Sequence, residues 1–323
     1  MYFNRINCVE KTNKKWEVLF SDKTLTIPFK KIFSMEDKFF TIGSCFAEEI
    51  RKALTSEQIS CLPNYSKIIF DPNRAIVDTL PIREHMNFYN TFSIKQEFSR
   101  AVGSWVQEPD DYWILKGKKI IDGRLYNSPE SSDMVYQDPY RRLVFADTPA
   151  HLNQISNKIT ETFRQGLRDA TVLIITLGMT EVFRKKNNGK ICNQVPIYGG
   201  GGGLREAEFY NSSFADNLAN VQTLLDEVKA FNPAIKVVLT VSPVPLHRSF
   251  GPNDIFVNNY ASKCTLRSVA EQICIEYPWV HYFPSFEIVW NLGSSAYMEK
   301  DLLHVKPEIV GLITSAFRKS FFH

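Results

Sequence analysis

"KFFTIGSCFAEEIRKAL", residues 38–54, decides the fold of this 323-residue chain. KFFTI is a short apolar run that stops at Gly43. Such a run reads as a strand buried on both faces. FAEEIRKAL then spaces its apolar residues as one face of a helix does. Ser44 and Cys45, two potential nucleophiles, stand at the turn between them. A thiol at a strand-to-helix turn meets helix N-terminal amides, which stabilise negative charge, lower the thiol pKa and can hold an oxyanion. Gly43 permits a tight turn and close approach of a substrate. The competing reading makes Cys45 a small buried residue, as free cysteines often are.

Outward from this unit the alternation continues. TPAHLNQISNKITETFRQGLRDA predicts a helix and TVLIITLG (171–178) a buried strand. FADNLANVQTLLDEVKAF is helical, IKVVLTVSP (235–243) a strand, and NNYASKCTLRSVAEQICIEY helical. WVHYFPS (279–285) is a strand and PEIVGLITSAFRKSF a closing helix. Apolar strands alternating with helices predict an α/β fold of three layers, a parallel sheet with helices on both faces. SKIIF (66–70) reads as the second core strand. KWEVLFSDKTLTIPF (15–29) reads as an N-terminal β-hairpin within an extension over 1–35, and YWILKGKKIIDGRLY as another hairpin. Residues 85–147 are rich in aromatics and turn signals and read as an insertion into one domain spanning 1–323. Ligands bind beyond strand C-termini in such sheets, so GSC, LGMTE, SPVP and FPS are expected on one rim.

Composition narrows the function. The chain is 44% hydrophobic, enough for a substantial core, and its net charge of +3 comes with no basic block, which argues against nucleic acid. No stretch reaches the apolar length of a membrane span, and the N-terminal stretch lacks a secretory apolar region, so a cytoplasmic protein is expected. The six cysteines are scattered without a C-x-x-C pair and predict neither a zinc site nor a disulfide framework. No metal and no cofactor are expected.

YMEKDLLHVKP places Asp301 and His304 three residues apart before a Pro-initiated helix. That spacing lets the carboxylate fix the imidazole tautomer and stabilise the imidazolium. A helix-start carboxylate beside a surface histidine would give the same letters. His247 reads as a loop histidine or a pocket residue, and Glu181 as a helix-start carboxylate or a pocket acid. GGGGG (199–203) has no G-K-[ST] after it and reads as a loop, not a phosphate cradle.

The pentapeptide GSCFA at 43–47, with YNTFSI (89–94), ITLGMTEVF (175–183), LTVSPVP (239–245), ASK (261–263), YFPSFEIV (282–289) and DLLH (301–304) in the same order, resembles the GSCFA family. That family is related to the SGNH, or GDSL-like, hydrolases. The resemblance implies a flavodoxin-like sheet. It puts Cys45 at the nucleophile position, Ser44 at the neighbouring aspartate position, and the late D-x-x-H on Asp301 and His304. The G-x-N oxyanion turn becomes Gly178 with Thr180 in place of asparagine. The family's N-C-H-x-x-P-like segment appears as ICNQVP, with Cys192 retained and Asn193 at the histidine place, and NYSKIIF offers no counterpart to the oxyanion glycine. Asn193 and Asn64 are alternative donors.

The resemblance thus implies a hydrolase of ester-linked acyl groups, on a small molecule or a glycan, with Cys45 as nucleophile and Asp301–His304 as its acid–base pair. Two alternatives stand beside it. One is an O-acyltransferase that modifies a glycan precursor from a thioester donor such as acetyl-coenzyme A. The other is an inactive scaffold that binds a carbohydrate or a protein.

Overall fold

The computed structural model describes residues 5–9, 24–28, 30–65, 68, 75–76, 87–121, 124–142, 144–193, 205–298 and 300–323. Its centre is a five-stranded parallel sheet built from β3 (Phe39–Gly43), β4 (Cys61–Leu62), β11 (Val172–Leu177), β15 (Lys236–Val241) and β16 (Val280–Tyr282). Across the sheet the order is β4-β3-β11-β15-β16. Numbered along the chain, that is second, first, third, fourth, fifth, the flavodoxin-like order the resemblance implies. The order reverses between β3 and β11, which pair from Val172 with Phe39 to Thr176 with Gly43.

The strands divide their side chains between two helical layers with a period of two. Phe40, Ile42, Leu173, Ile175, Leu177, Val237, Leu239 and Val241 face one core. There they meet α2 (Thr91–Val102), α3 (Pro149–Asp169), α4 (Phe214–Phe231) and α5 (Ile255–Glu276). Phe39, Val172, Ile174 and Val238 face the other, against α1 (Cys45–Ser56), α6 (Ser285–Leu292) and α7 (Pro307–Phe321). The helix starts carry local signals. Ser213 and Asp216 form a capping box on α4, Thr148 caps α3 ahead of Pro149, and Asn90 caps α2.

Several expectations change. Part of the segment read as an insertion, α2, belongs to a main layer, with Phe98 packed on Phe40 and Phe163. The second core strand is β4, at Cys61–Leu62. Apart from Ile68, the SKIIF segment lies outside the described residues, as does the first arm of the N-terminal hairpin. The second arm is β2 (Thr24–Pro28), whose described partner is β1 (Arg5–Val9), in parallel register. The hairpin expected over 112–126 forms from β7 (Lys118–Ile121) and β8 (Arg124–Asn127), while β6 (Trp113–Lys116) pairs with β9 (Met134–Gln137), which continues through β10 (Phe145–Ala146) to β5 (Ala75–Ile76). Beyond β11 the chain adds an antiparallel sheet of β12 (Glu181–Lys185), β13 (Ile191–Cys192) and β14 (Ala207–Asn211). Glu181 therefore starts a strand, not a helix. Its buried carboxylate accepts from Ser249 Oγ at 2.6 Å and Phe250 N at 2.9 Å, which ties down the loop after β15.

A buried ion pair fastens α2 to α3. Arg141 Nε donates to both Glu97 oxygens at 3.1 Å, and its other nitrogens reach Ser156 O and Thr160 Oγ1. Removing one member of such a pair strands the other charge in the core, at a cost of about 3–5 kcal/mol. Arg141→Met is expected to lose stability on that scale in urea unfolding. Adding Glu97→Met should recover much of it, because the uncompensated charge is then gone.

Candidate active site

All core strands run in parallel, so GSC, LGMTE, SPVP and FPS share one edge, as expected. Cross-links stitch the strand ends together. Ser242 N donates to Leu177 O at 2.8 Å and Ser285 Oγ to Val241 O at 2.9 Å. Cys45 opens α1 at the point where the strand order reverses. Ser44 is the N-cap, and its hydroxyl accepts from Phe46 N at 3.3 Å. Its side chain is buried and spent on the helix start.

Gly43 has a positive φ of 139°, and a Cβ there would lie 2.2 Å from Thr176 O. The glycine thus serves the approach of β11, not of a ligand. Residues 87–90 cross the sheet edge between β3 and β11. Phe88 N donates to Gly43 O and Met179 N to Tyr89 O, each at 2.8 Å, and Asn193 Nδ2 donates to Asn87 O at 2.9 Å. Gly178 is needed for this crossing, because a Cβ would lie 2.5 Å from Tyr89 O. Thr176 Oγ1 and Asn193 Oδ1, beside the crossing, are buried and have no hydrogen-bond partner among the described residues.

The oxyanion candidates are largely engaged. Thr180 Oγ1 pairs with Asn211 Oδ1 at 2.8 Å, and Thr180 N donates to Ser262 Oγ at 2.9 Å. Asn193 Nδ2 has one hydrogen committed to Asn87 O. The amide of Cys45 lies at the helix start, where it lowers the pKa of its own thiol.

Asp301 and His304 form a pair, with His304 Nδ1 2.7 Å from Asp301 Oδ2. Asp301 Oδ1 also accepts from Leu303 N at 2.9 Å and His304 N at 3.0 Å. The Leu303 amide, then the imidazole and the His304 amide, hold the Asp301 carboxyl well below the usual range. The loop hangs from the same sheet edge. Tyr297 bridges to Val305, and its hydroxyl donates to Pro243 O at 2.9 Å, just past β15. The His304 side chain is 61% exposed. Among the described residues it makes no hydrogen bond to the Cys45 thiol, so the direct Cys45–His304 contact expected of a resting pair is not formed.

The charged groups acting on Cys45 are others. Burial pushes the thiol up, Lys263 pulls it down, Glu48 pushes it up, and its own amide pulls it down. The lowering expected from the helix N-terminus is outweighed by burial. Lys263 and Tyr89 are the neighbours that sequence reasoning missed. Burial pushes Tyr89 up, and Cys45 is among the charges acting on it. Lys263 had a readable signal. On α5, Leu266, Val269, Ala270 and Ile273 form a buried stripe, and Asn259, Ser262 and Lys263 continue it one turn toward the sheet edge. A face that turns polar as it nears strand C-termini is aimed at a site.

His247 is exposed on the loop after β15, and the glycine run 199–203 lies outside the described residues. Among the described residues no helix is long and apolar enough to cross a membrane. No curated protein matches the chain. Among solved structures, a family 3 carbohydrate esterase of Clostridium thermocellum is similar at 11% identity and a TM-score of 0.34, with 88% of this chain and 94% of that one covered. The GSCFA family model matches residues 38–317, from the lysine before β3 to the last turns of α7, and the chain belongs to the GSCFA family.

Proposed function

We propose that the protein is an SGNH-type hydrolase that removes ester-linked acyl groups, with a carbohydrate as the acyl carrier, through Cys45 and the Asp301–His304 pair. The observation that carries this reading is positional. Cys45 opens a helix at the reversal point of the sheet, and the Asp301–His304 loop is anchored to the same edge through Tyr297.

In this reading Asp301 holds Nδ1 of His304, which leaves Nε2 to take the Cys45 proton as the exposed loop closes over substrate. The thiolate attacks the ester carbonyl carbon, and a thioester forms as the alkoxide leaves. His304 returns its proton to the leaving oxygen. Water, deprotonated by His304, then cleaves the thioester and frees Cys45. The helix-start amides face the oxyanion.

The test is release of acetate from acetylated sugars and of phenol from short-chain aryl esters. Asp301→Asn is expected to lower kcat by about 10²–10⁴, because the imidazole loses both its orientation and its counter-charge. Turnover of neither ester class would overturn the hydrolase reading. Acyl transfer from acetyl-coenzyme A to a glycan without hydrolysis would replace it with the transferase.

A further inference from the structure

Lys263 is a buried cation with no anion to answer it. Its side chain is 2% exposed, and its ammonium donates to Gly178 O at 2.6 Å. Among the described residues it forms no ion pair. Such a burial costs several kcal/mol, and an apolar residue would simply extend the stripe of Leu266, Val269 and Ala270. A buried lysine without a carboxylate partner, held on a main-chain oxygen beside a candidate site and poised to change charge near neutral pH, is a candidate for a functional role.

Its place is specific. Gly178 ends β11 at the reversal point, and β11 pairs with β3, the strand that leads into Cys45. The neighbouring Ser262 binds Thr180 N, so one turn of α5 holds both ends of the Gly178–Thr180 turn. The charge of Lys263 reaches the Cys45 thiol, and the charge of Cys45 reaches Lys263. Among the described residues, the other titratable groups acting on the thiol are Glu48 and Glu49 on its own helix, which oppose its ionisation, and Tyr89 from the crossing segment. His304 is not among them.

We propose that Lys263 is a positioning residue for Cys45, its ammonium held on Gly178 O so that its charge offsets burial and makes the Cys45 thiolate accessible. The thiol proton leaves to His304 or solvent, and Lys263 acts through its field alone. This inference rests on the reading of Cys45 as nucleophile, but its test does not need a substrate.

The experiment follows Cys45 alkylation by iodoacetamide against pH, with mass-spectrometric mapping and exposed Cys264 as internal reference. Lys263→Met is expected to slow Cys45 alkylation about tenfold at about pH 6, where Lys263 carries its charge, with the difference closing by about pH 8, where the wild-type lysine is neutral too. Lys263→Arg should restore much of that loss. A folded Lys263→Met protein, judged by near-ultraviolet circular dichroism, with an unchanged Cys45 profile overturns the proposal.

If that variant does not fold, the wild-type protein carries the test. Burial sets Lys263 to lose its proton at about 7. The iodoacetate-to-iodoacetamide rate ratio at Cys45 should therefore fall between about pH 6 and 8, also in a His304→Gln background, while the Cys264 ratio stays level. A level ratio at Cys45 overturns the proposal. Failure here leaves the hydrolase reading standing if Cys45→Ala is inactive. Full turnover by Cys45→Ala refutes the nucleophile without touching the thiol profile.

Discussion

Cys45→Ala should bring ester turnover down by at least about 10³, while Ser44→Ala should stay within about tenfold of wild type. The two side chains leave adjacent positions and do different work. Ser44 is buried and caps α1 through Phe46 N. Its loss costs about 1 kcal/mol of helix-start stability. Cys45 stands on the first helical residue and is partly exposed at the sheet edge. Without it, no group at that position can carry an acyl intermediate. Cys45→Ser should give slow residual turnover, because a hydroxyl ionises far less readily than a thiol. The measurement is steady-state hydrolysis of an aryl ester by the three variants. An inactive Ser44→Ala together with a fully active Cys45→Ala would shift the register to serine.

Gly43→Ala is expected to be the most damaging glycine-to-alanine change among the described residues. Its Cβ would lie 2.2 Å from a main-chain oxygen of β11, which cannot rotate away, and the φ of 139° is already unfavourable for an L side chain. The loss should exceed about 4 kcal/mol, the range reserved for mutations that break a core contact or force backbone strain. Chemical denaturation should show it directly, and a variant within 1 kcal/mol of wild type, on the order of an ordinary surface change, would sink the account. Gly311→Ala is the matched control. It lies inside α7 with nothing within 4 Å of the added carbon, so it should gain about 0.5–1 kcal/mol.

The doubly wound core was legible because its strands are apolar on both faces and its helices carry their own start signals. FADNLANVQTLLDEVKAF and PEIVGLITSAFRKSF span the observed α4 and α7. Helix α2 was not legible, for a physical reason. It is covered on nearly every side, so Ser93, Gln96, Glu97 and Arg100 are as buried as Ile94 and Phe98, and no apolar stripe stands out against a polar face. β4 has only two residues, too short to show a period. At the site, the turn of Gly43–Cys45 and the Asp301–His304 spacing were readable because they are local. Lys263 and Tyr89 reach Cys45 only through the fold, and spacing along the chain does not report that. Thr180 stands in the sequence where the resemblance puts the oxyanion asparagine, and only the structure reveals Asn211 on its hydroxyl.

The crossing of residues 87–90 over the sheet edge has a consequence for the order of assembly. Sheet pairing of β3 with β11 needs only the two strands, but the floor of the site also needs Phe88 on Gly43, Tyr89 on Met179 and Asn87 under Asn193. Each contact closes a long chain loop for one or two hydrogen bonds, an entropic outlay returned only once the sheet is in place. The scaffold can therefore nucleate before the floor of the candidate site exists, and refolding followed by sheet formation should run ahead of refolding followed by recovery of the proposed activity. The same order applies in reverse: partial unfolding removes the floor first, so inactivation should precede global loss of structure as denaturant rises.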